Sequence, residues 1–194
     1  RRLEALNGAV AHAREEALAI ATPKVIYRHI PVVEAGAGRV TLEGGLTIEN
    51  AEMAPYFDGA DTAVAMVLTI GPALEERVQE LFSKDKFMEA MVLDAAASAV
   101  VSATFRRGHL LLHEEMAQWG WETGPCLRPG SSYWDIQGQR LLFKALPAEQ
   151  IGVKLLDSCF MLPRKSQSTM MPAGKGLVVK ANPTDSYCRL CRVP

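Results

Sequence analysis

Apolar residues recur every three to four positions at the start of the chain. Leu3, Leu6, Val10, Ala13, Ala17 and Ile20 lie opposite Arg2, Glu4, Arg14 and Glu15, which predicts an amphipathic helix over 1–20 that Thr22-Pro23 ends. The period then shortens. Positions 24–30 predict a strand with His29 at its boundary, and the glycines at 36, 38, 44 and 45 bracket Arg39–Leu42 as half of a hairpin that continues into 46–48. A short helix is expected over 49–57, broken at Pro55 or at Asp58-Gly59. Positions 62–70 are almost continuously apolar and bounded by turn signals, which predicts a buried central strand. Gly71-Pro72 closes it and opens a helix, with proline where a missing amide costs least.

No glycine or proline interrupts 73–107, and the spacing stays helical, dividing near 83–86 into 73–82 and Phe87–Gln118. The small residues Ala95-Ala96-Ala97-Ser98-Ala99 suit a helix lying flat on a sheet. Asp94, Ser98 and Ser102 repeat every four residues as one polar line, either a solvated stripe or the border of a ligand cleft. His109 and His113 have metal-ligand spacing beside Glu114, but the full H-E-x-x-H pattern is absent, so both read as surface residues of a charged helix end. After Trp119-Gly120-Trp121 breaks the helix, 126–130 reads as extended and 131–137 as an aromatic, polar loop. A helix over 139–146 stops at Pro147, 152–156 is a short strand, 161–171 a patterned loop, and 176–182 a last strand. One domain over 1–194 is expected, without repeat or linker.

Composition narrows the function. The 194 residues carry 21 basic and 22 acidic side chains, a net charge of −1, so no broad field for nucleic acid or anionic lipid is expected. The longest apolar stretch, 91–105, is cut by Asp94 and two serines and falls short of the ~18 residues of a bilayer span. With no leader pattern and four scattered cysteines, Cys126, Cys159, Cys188 and Cys191, the expected setting is reducing cytoplasm. The phosphate-cradling, dinucleotide and nucleophile-elbow motifs are all missing, which removes most support for nucleotide-hydrolysing and hydrolase readings.

Two segments concentrate polar chemistry. Residues 126–137 and 161–171 each mix a cation with hydroxyls and with glycine or proline. Arg128 and Lys165 suit a carboxylate, while Tyr133 and Trp134 either stack on a planar ring or belong to the core. The set suits a zwitterionic ligand with a flat base.

Ile151-Gly152-x-Lys154-Leu155-x-x-Ser158-x-x-Met161-x-Pro163-x-x-Ser166-x-Ser168 resembles, without a gap, the C-terminal motif of the reactivation domain of cobalamin-dependent methionine synthase. Upstream, Pro129-Gly130, Tyr133 and Gln139-x-Leu141-Leu142-Phe143 extend the likeness, which covers 126–180. The resemblance implies an α+β domain, a curved, mostly antiparallel sheet with long helices packed on it, binding S-adenosylmethionine along its inner face. In that family the domain supplies the methyl group when inactive cob(II)alamin is reduced and remethylated. This chain has no D-x-H-x-x-G cobalamin-ligand motif, so the corrinoid is expected on a partner, a corrinoid protein or methionine synthase module, with flavodoxin or ferredoxin as electron donor. The implied ligand contacts are Arg128, Gly130, Ser131 and Tyr133 from one segment and Lys165, Ser166 and Ser168 from the other, with Asp94 for the ammonium.

Departures from the family pattern stand beside the match. Cys126 falls where the family has arginine, with Arg128 two residues later on the same side of an extended segment, and Ser131 falls where the family has tyrosine. The family tends to carry acidic residues on the long helix, where this chain has Ser98 and Ser102 near Asp94. Cys188-x-x-Cys191 is half of a zinc or iron–sulfur site, which Cys126 and Cys159 complete only if folding gathers all four. The alternatives to methyl-donor binding are a non-catalytic module that docks on a corrinoid protein and a small metal or iron–sulfur redox carrier.

Overall fold

The computed structural model describes residues 2–181. Helix α1 (Arg2–Ile20) leads into strand β1 (Lys24–Gly36), followed by β2 (Arg39–Leu42), β3 (Thr47–Glu49) and β4 (Thr62–Thr69). Helices α2 (Ala73–Ser83) and α3 (Phe87–Gln118) come next, then β5 (Glu122–Thr123), α4 (Gly138–Ala145), β6 (Lys154–Leu155), β7 (Met161–Leu162) and β8 (Ser166–Gly174). One six-stranded sheet runs in the order β3-β2-β1-β4-β8-β5 with antiparallel pairing throughout, and β6 and β7 form a separate hairpin. The protein is therefore α+β, the class that the family resemblance implies.

Every residue of β4 is buried, because both of its faces are covered. Val64, Met66 and Leu68 pack with Leu93, Ala97, Val101 and Phe105 of α3, and Ala13 and Ala17 of α1 join the same core. The intervening Ala63, Ala65 and Val67 pack on the opposite face with Phe57, Trp134 and Leu142. A sheet between two cores lets successive residues of one strand serve different environments.

Several expectations change. The expected 161–171 loop is largely β8, paired with β4 from Ser166 to Ala173, so its hydroxyl-rich sequence lies in the middle of the sheet. Only β6 is strand within 152–156, since Gly152 turns left-handed (φ 80°). The expected strand at 176–182 is turn and coil up to residue 181, tied down by single bonds such as Val178 N–H to the Asp58 carbonyl (3.0 Å). His29 lies inside β1 rather than at its boundary, 3.4 Å from Glu115 and with its ring 5.2 Å from that of Trp119 at a tilt of 47°. Val10, on the apolar face of α1, is half-exposed in a groove between α1 and α3.

His109 is also not a surface residue. It is 5% exposed, because the C-terminal half of α3 still crosses the sheet there: Gly108 sits against the Met66 sulfur. Helix α3 is long and apolar enough to cross a membrane by length and composition, although no unbroken apolar run in it reaches that length. Its inward residues from Ala90 to Met116 belong to the core on the sheet.

Candidate functional site

Lys165 immediately precedes β8 and is fixed through its backbone as well as its side chain. Its amide donates to Glu75 Oε1 (2.6 Å) at the start of α2, and its carbonyl accepts from the Ile70 amide (3.2 Å). The ammonium meets Asp94 Oδ1 and Ser98 Oγ, each at 2.8 Å, and donates to the Asp94 carbonyl at 3.3 Å. Two predicted ligand contacts, Asp94 and Lys165, are thus brought together as an ion pair. The polar line of α3 is partly satisfied from within: Ser98 Oγ donates to the Asp94 carbonyl (3.0 Å) and Ser102 Oγ to that of Ser98 (2.8 Å). Beside the pair opens a cleft of ≈ 410 Å³ whose lining includes Glu75, Phe82, Met91, Asp94, Arg164 and Lys165. That volume lies in the range of small-molecule sites, about 300–1,000 Å³, and the lining offers both signs of charge with apolar walls.

Arg128 approaches from the far side of β8. Leu127 exchanges both backbone hydrogen bonds with Met170 (2.8 and 2.9 Å), a bridge that holds 126–128 extended along β8. Leu127 enters the core beneath the sheet, while Cys126 enters the α3-side core and the Arg128 guanidinium lies 4.0 Å over the Phe105 ring. The two-residue offset noted in the sequence therefore leaves Cys126 and Arg128 on one side. Burial pushes the Cys126 thiol up to about 12, against the opposing effects of Thr169 and Arg128, so it is a neutral core residue. The His109 ring stacks with Phe105 at 6.5 Å between centroids, and its pKa is lowered to about 4 by burial first and then by His113 and Arg128. His113 Nδ1 is 2.7 Å from Thr123 Oγ1.

The Leu127–Met170 bridge sets Arg128 beside Thr169, and one pleat along the same face is Gln167. Gln167 Oε1 is buried without a hydrogen-bond partner among the described residues. Lys165 follows on that face. Arg128, Gln167 and the Lys165–Asp94 pair thus form a row beside α3, spanning residues 94 to 105 of that helix, roughly 16 Å.

Alternation sends the remaining predicted residues elsewhere. Ser166 and Ser168 are buried with Met170 on the opposite face, and their hydroxyls are committed internally, Ser166 Oγ to the Pro163 carbonyl (2.7 Å) and Ser168 Oγ to Gln139 Oε1 (2.8 Å). Gly130 adopts φ 87° in a turn closed by its amide on the Trp134 carbonyl (2.8 Å), and Ser131 bridges Trp134 in that turn. Tyr133 packs on the lower core, with its carbonyl accepting from Asn50 Nδ2 (2.7 Å) and its hydroxyl 3.4 Å from the Arg128 amide. Trp134 is 6% exposed and belongs to the same core, so the core alternative holds for it.

Cys188 and Cys191 lie outside the described residues. Cys126 is in the α3-side core, whereas Cys159 Sγ lies 3.3 Å from Gln137 Oε1 beside α4, so these two do not converge. Among the described residues no group of three His, Cys, Asp or Glu side chains is placed to hold a metal. Glu75, Phe105, Arg164 and Gln167 were not anticipated as site residues. Reading 166–174 as a strand would have placed Gln167 with Lys165, whereas nothing in the sequence brings Phe105 under Arg128.

No protein-family profile matches the chain, and no curated protein matches it by sequence. Among solved structures it is similar to the MetH reactivation domain bound to AdoHcy, with a TM-score of 0.72 and 15% identity over 93% of this chain and 67% of that one. At that identity the likeness is one of fold.

Proposed function

We propose that this chain is a single S-adenosylmethionine-binding domain that presents a methyl donor to a corrinoid held by a partner, with a flavodoxin- or ferredoxin-like donor supplying electrons. The observation that carries the reading is the row Arg128, Gln167 and Lys165–Asp94 along α3, in a chain whose fold resembles a domain solved with AdoHcy. The donor set fits a zwitterion. Arg128 supplies a planar cation for a carboxylate, and Gln167 Oε1 is a buried acceptor suited to an ammonium. Asp94 adds a half-exposed carboxylate that Lys165 holds in place.

The chain's own part is orientation. Holding the amino-acid end of the ligand fixes the sulfonium methyl relative to an acceptor outside the domain, which turns a bimolecular transfer into one with a high effective concentration. In the transfer the methyl–sulfur bond breaks, its electron pair stays on sulfur as a thioether, and the methyl group bonds to the acceptor through an electron pair that the acceptor would hold once the electron donor had reduced it.

Titration calorimetry with S-adenosylmethionine and with AdoHcy tests the reading. Wild-type protein is expected to bind, and Arg128→Ala to bind at least about ten-fold more weakly, the usual scale for a charge-assisted bond. Gln167→Leu should weaken binding in the same direction. A folded wild-type chain that binds neither compound would overturn the proposal and favour a docking module that keeps only the architecture.

A further inference from the structure

Strand β1 carries an open edge. It pairs with β4 from Lys24 to Pro31, but β2 covers its other side only from Val32 to Gly36. The Val32 amide donates to the Asp61 carbonyl (3.0 Å), which fixes the phase of the ladder: even-numbered residues bond towards β4, and the odd-numbered Val25, Tyr27 and His29 point their N–H and C=O groups outward. Among the described residues nothing donates to or accepts from those outward groups. Pro23 and Pro31 share the outward phase and lack an N–H, so the open ladder is bounded at both ends.

The side chains of these same residues lie towards α3 and are unusually apolar for an exposed strand. Val25 is 40% exposed, Tyr27 45%, and Trp119, 5.2 Å from His29, 48%. Open strand edges flanked by exposed tyrosine and tryptophan are sites where another strand adds.

We infer that this edge is a self-association surface, on which two copies of the chain pair antiparallel about a two-fold axis at Tyr27. The axis sets Val25 opposite His29 of the second copy and Tyr27 opposite Tyr27. All three pairs fall in the hydrogen-bonded phase, giving about six inter-chain bonds before the prolines stop the ladder. The register is self-complementary in its side chains as well, since the tilted His29–Trp119 ring pair of one copy meets the exposed Val25 of the other. Arg28, on the opposite face, is drawn back to the Ala145 carbonyl (3.4 Å), which takes its charge away from the seam. The β4 and β8 ladders then continue through the seam as one sheet of two chains.

Sedimentation velocity and light scattering on the full chain at micromolar to tens of micromolar concentration test the inference. Wild type is expected at twice the chain mass. Tyr27→Pro removes one outward N–H and none that bonds to β4, and Tyr27→Lys places like charges on the axis. Each should weaken the dimer at least about ten-fold while leaving the far-ultraviolet circular dichroism unchanged. Phe160→Lys, on the exposed β6–β7 hairpin, should leave the dimer intact. If Tyr27→Pro fails to fold, Tyr27→Lys decides. A monomeric wild type, including one that captures an extended peptide from another protein, would overturn self-pairing, as would a folded Tyr27→Lys variant that dimerises as well as wild type.

Discussion

His109 is held inside the α3-side core against Phe105, at 5% exposure, and replacing it with leucine should remove a pH-dependent part of the protein's stability. Burial first, then the charges of His113 and Arg128, lower it from 6.5 to about 4. Because the folded value is depressed, the unfolded chain takes up the proton first as pH falls. The stabilising contribution is therefore complete above about pH 6.5 and is lost on descending towards pH 4. The full depression is worth about 3.4 kcal/mol at about 1.36 kcal/mol per decade. Between about pH 7.5 and pH 4.5, linkage gives a loss of about 2.5 kcal/mol from this one group. Urea unfolding of wild type and His109→Leu at the two pH values measures it. With a slope of about 2 kcal/mol/M, the wild-type midpoint should fall by roughly 1 M more than that of the variant. Comparing pH dependences rather than absolute stabilities cancels the packing cost of the substitution and the titration of groups both proteins share. Parallel pH profiles would refute the argument, because they would mean that His109 is protonated as readily in the fold as outside it.

Other substitutions separate backbone, hydrogen-bond and surface contributions. Gly59→Ala places a methyl 2.0 Å from the Gly176 carbonyl oxygen at φ 72°, and should cost well over about 2 kcal/mol, whereas Gly44→Ala, at φ 77° with nothing within 4 Å, should cost about 1–2 kcal/mol; chemical denaturation of the two side by side checks the difference. Ser168→Ala takes the hydroxyl donor from Gln139 Oε1 on a side chain 4% exposed, and should lower the unfolding free energy by about 1–3 kcal/mol. Lys165→Met breaks a pair whose Asp94 is half-exposed, so denaturant unfolding should register less than about 1 kcal/mol. A large loss there would mean that the ammonium supports the core rather than the cleft.

Elements whose period outlasts local ambiguity are legible in the chain alone. The glycine-free run over 73–107 forms α2 and α3, and the apolar block at 62–70 forms the buried β4. The two-residue offset between Cys126 and Arg128 was legible too, because side chains two apart share a side in any extended segment. Tertiary structure decided which side that was. Hydroxyl-rich β8 reads as a loop because Ser166, Ser168 and Thr169 are residues that solvated turns use. They enter the sheet only because Pro163, Gln139 and Leu127, distant or across a turn, supply acceptors there. The same placement in the sheet divides the predicted ligand contacts between two faces, joins Lys165 to Asp94 across 71 positions, and sets Gln167 between Lys165 and Arg128. Periodicity reports which residues share a face. Which faces meet is set by packing between segments far apart in the chain, and no local pattern carries that information.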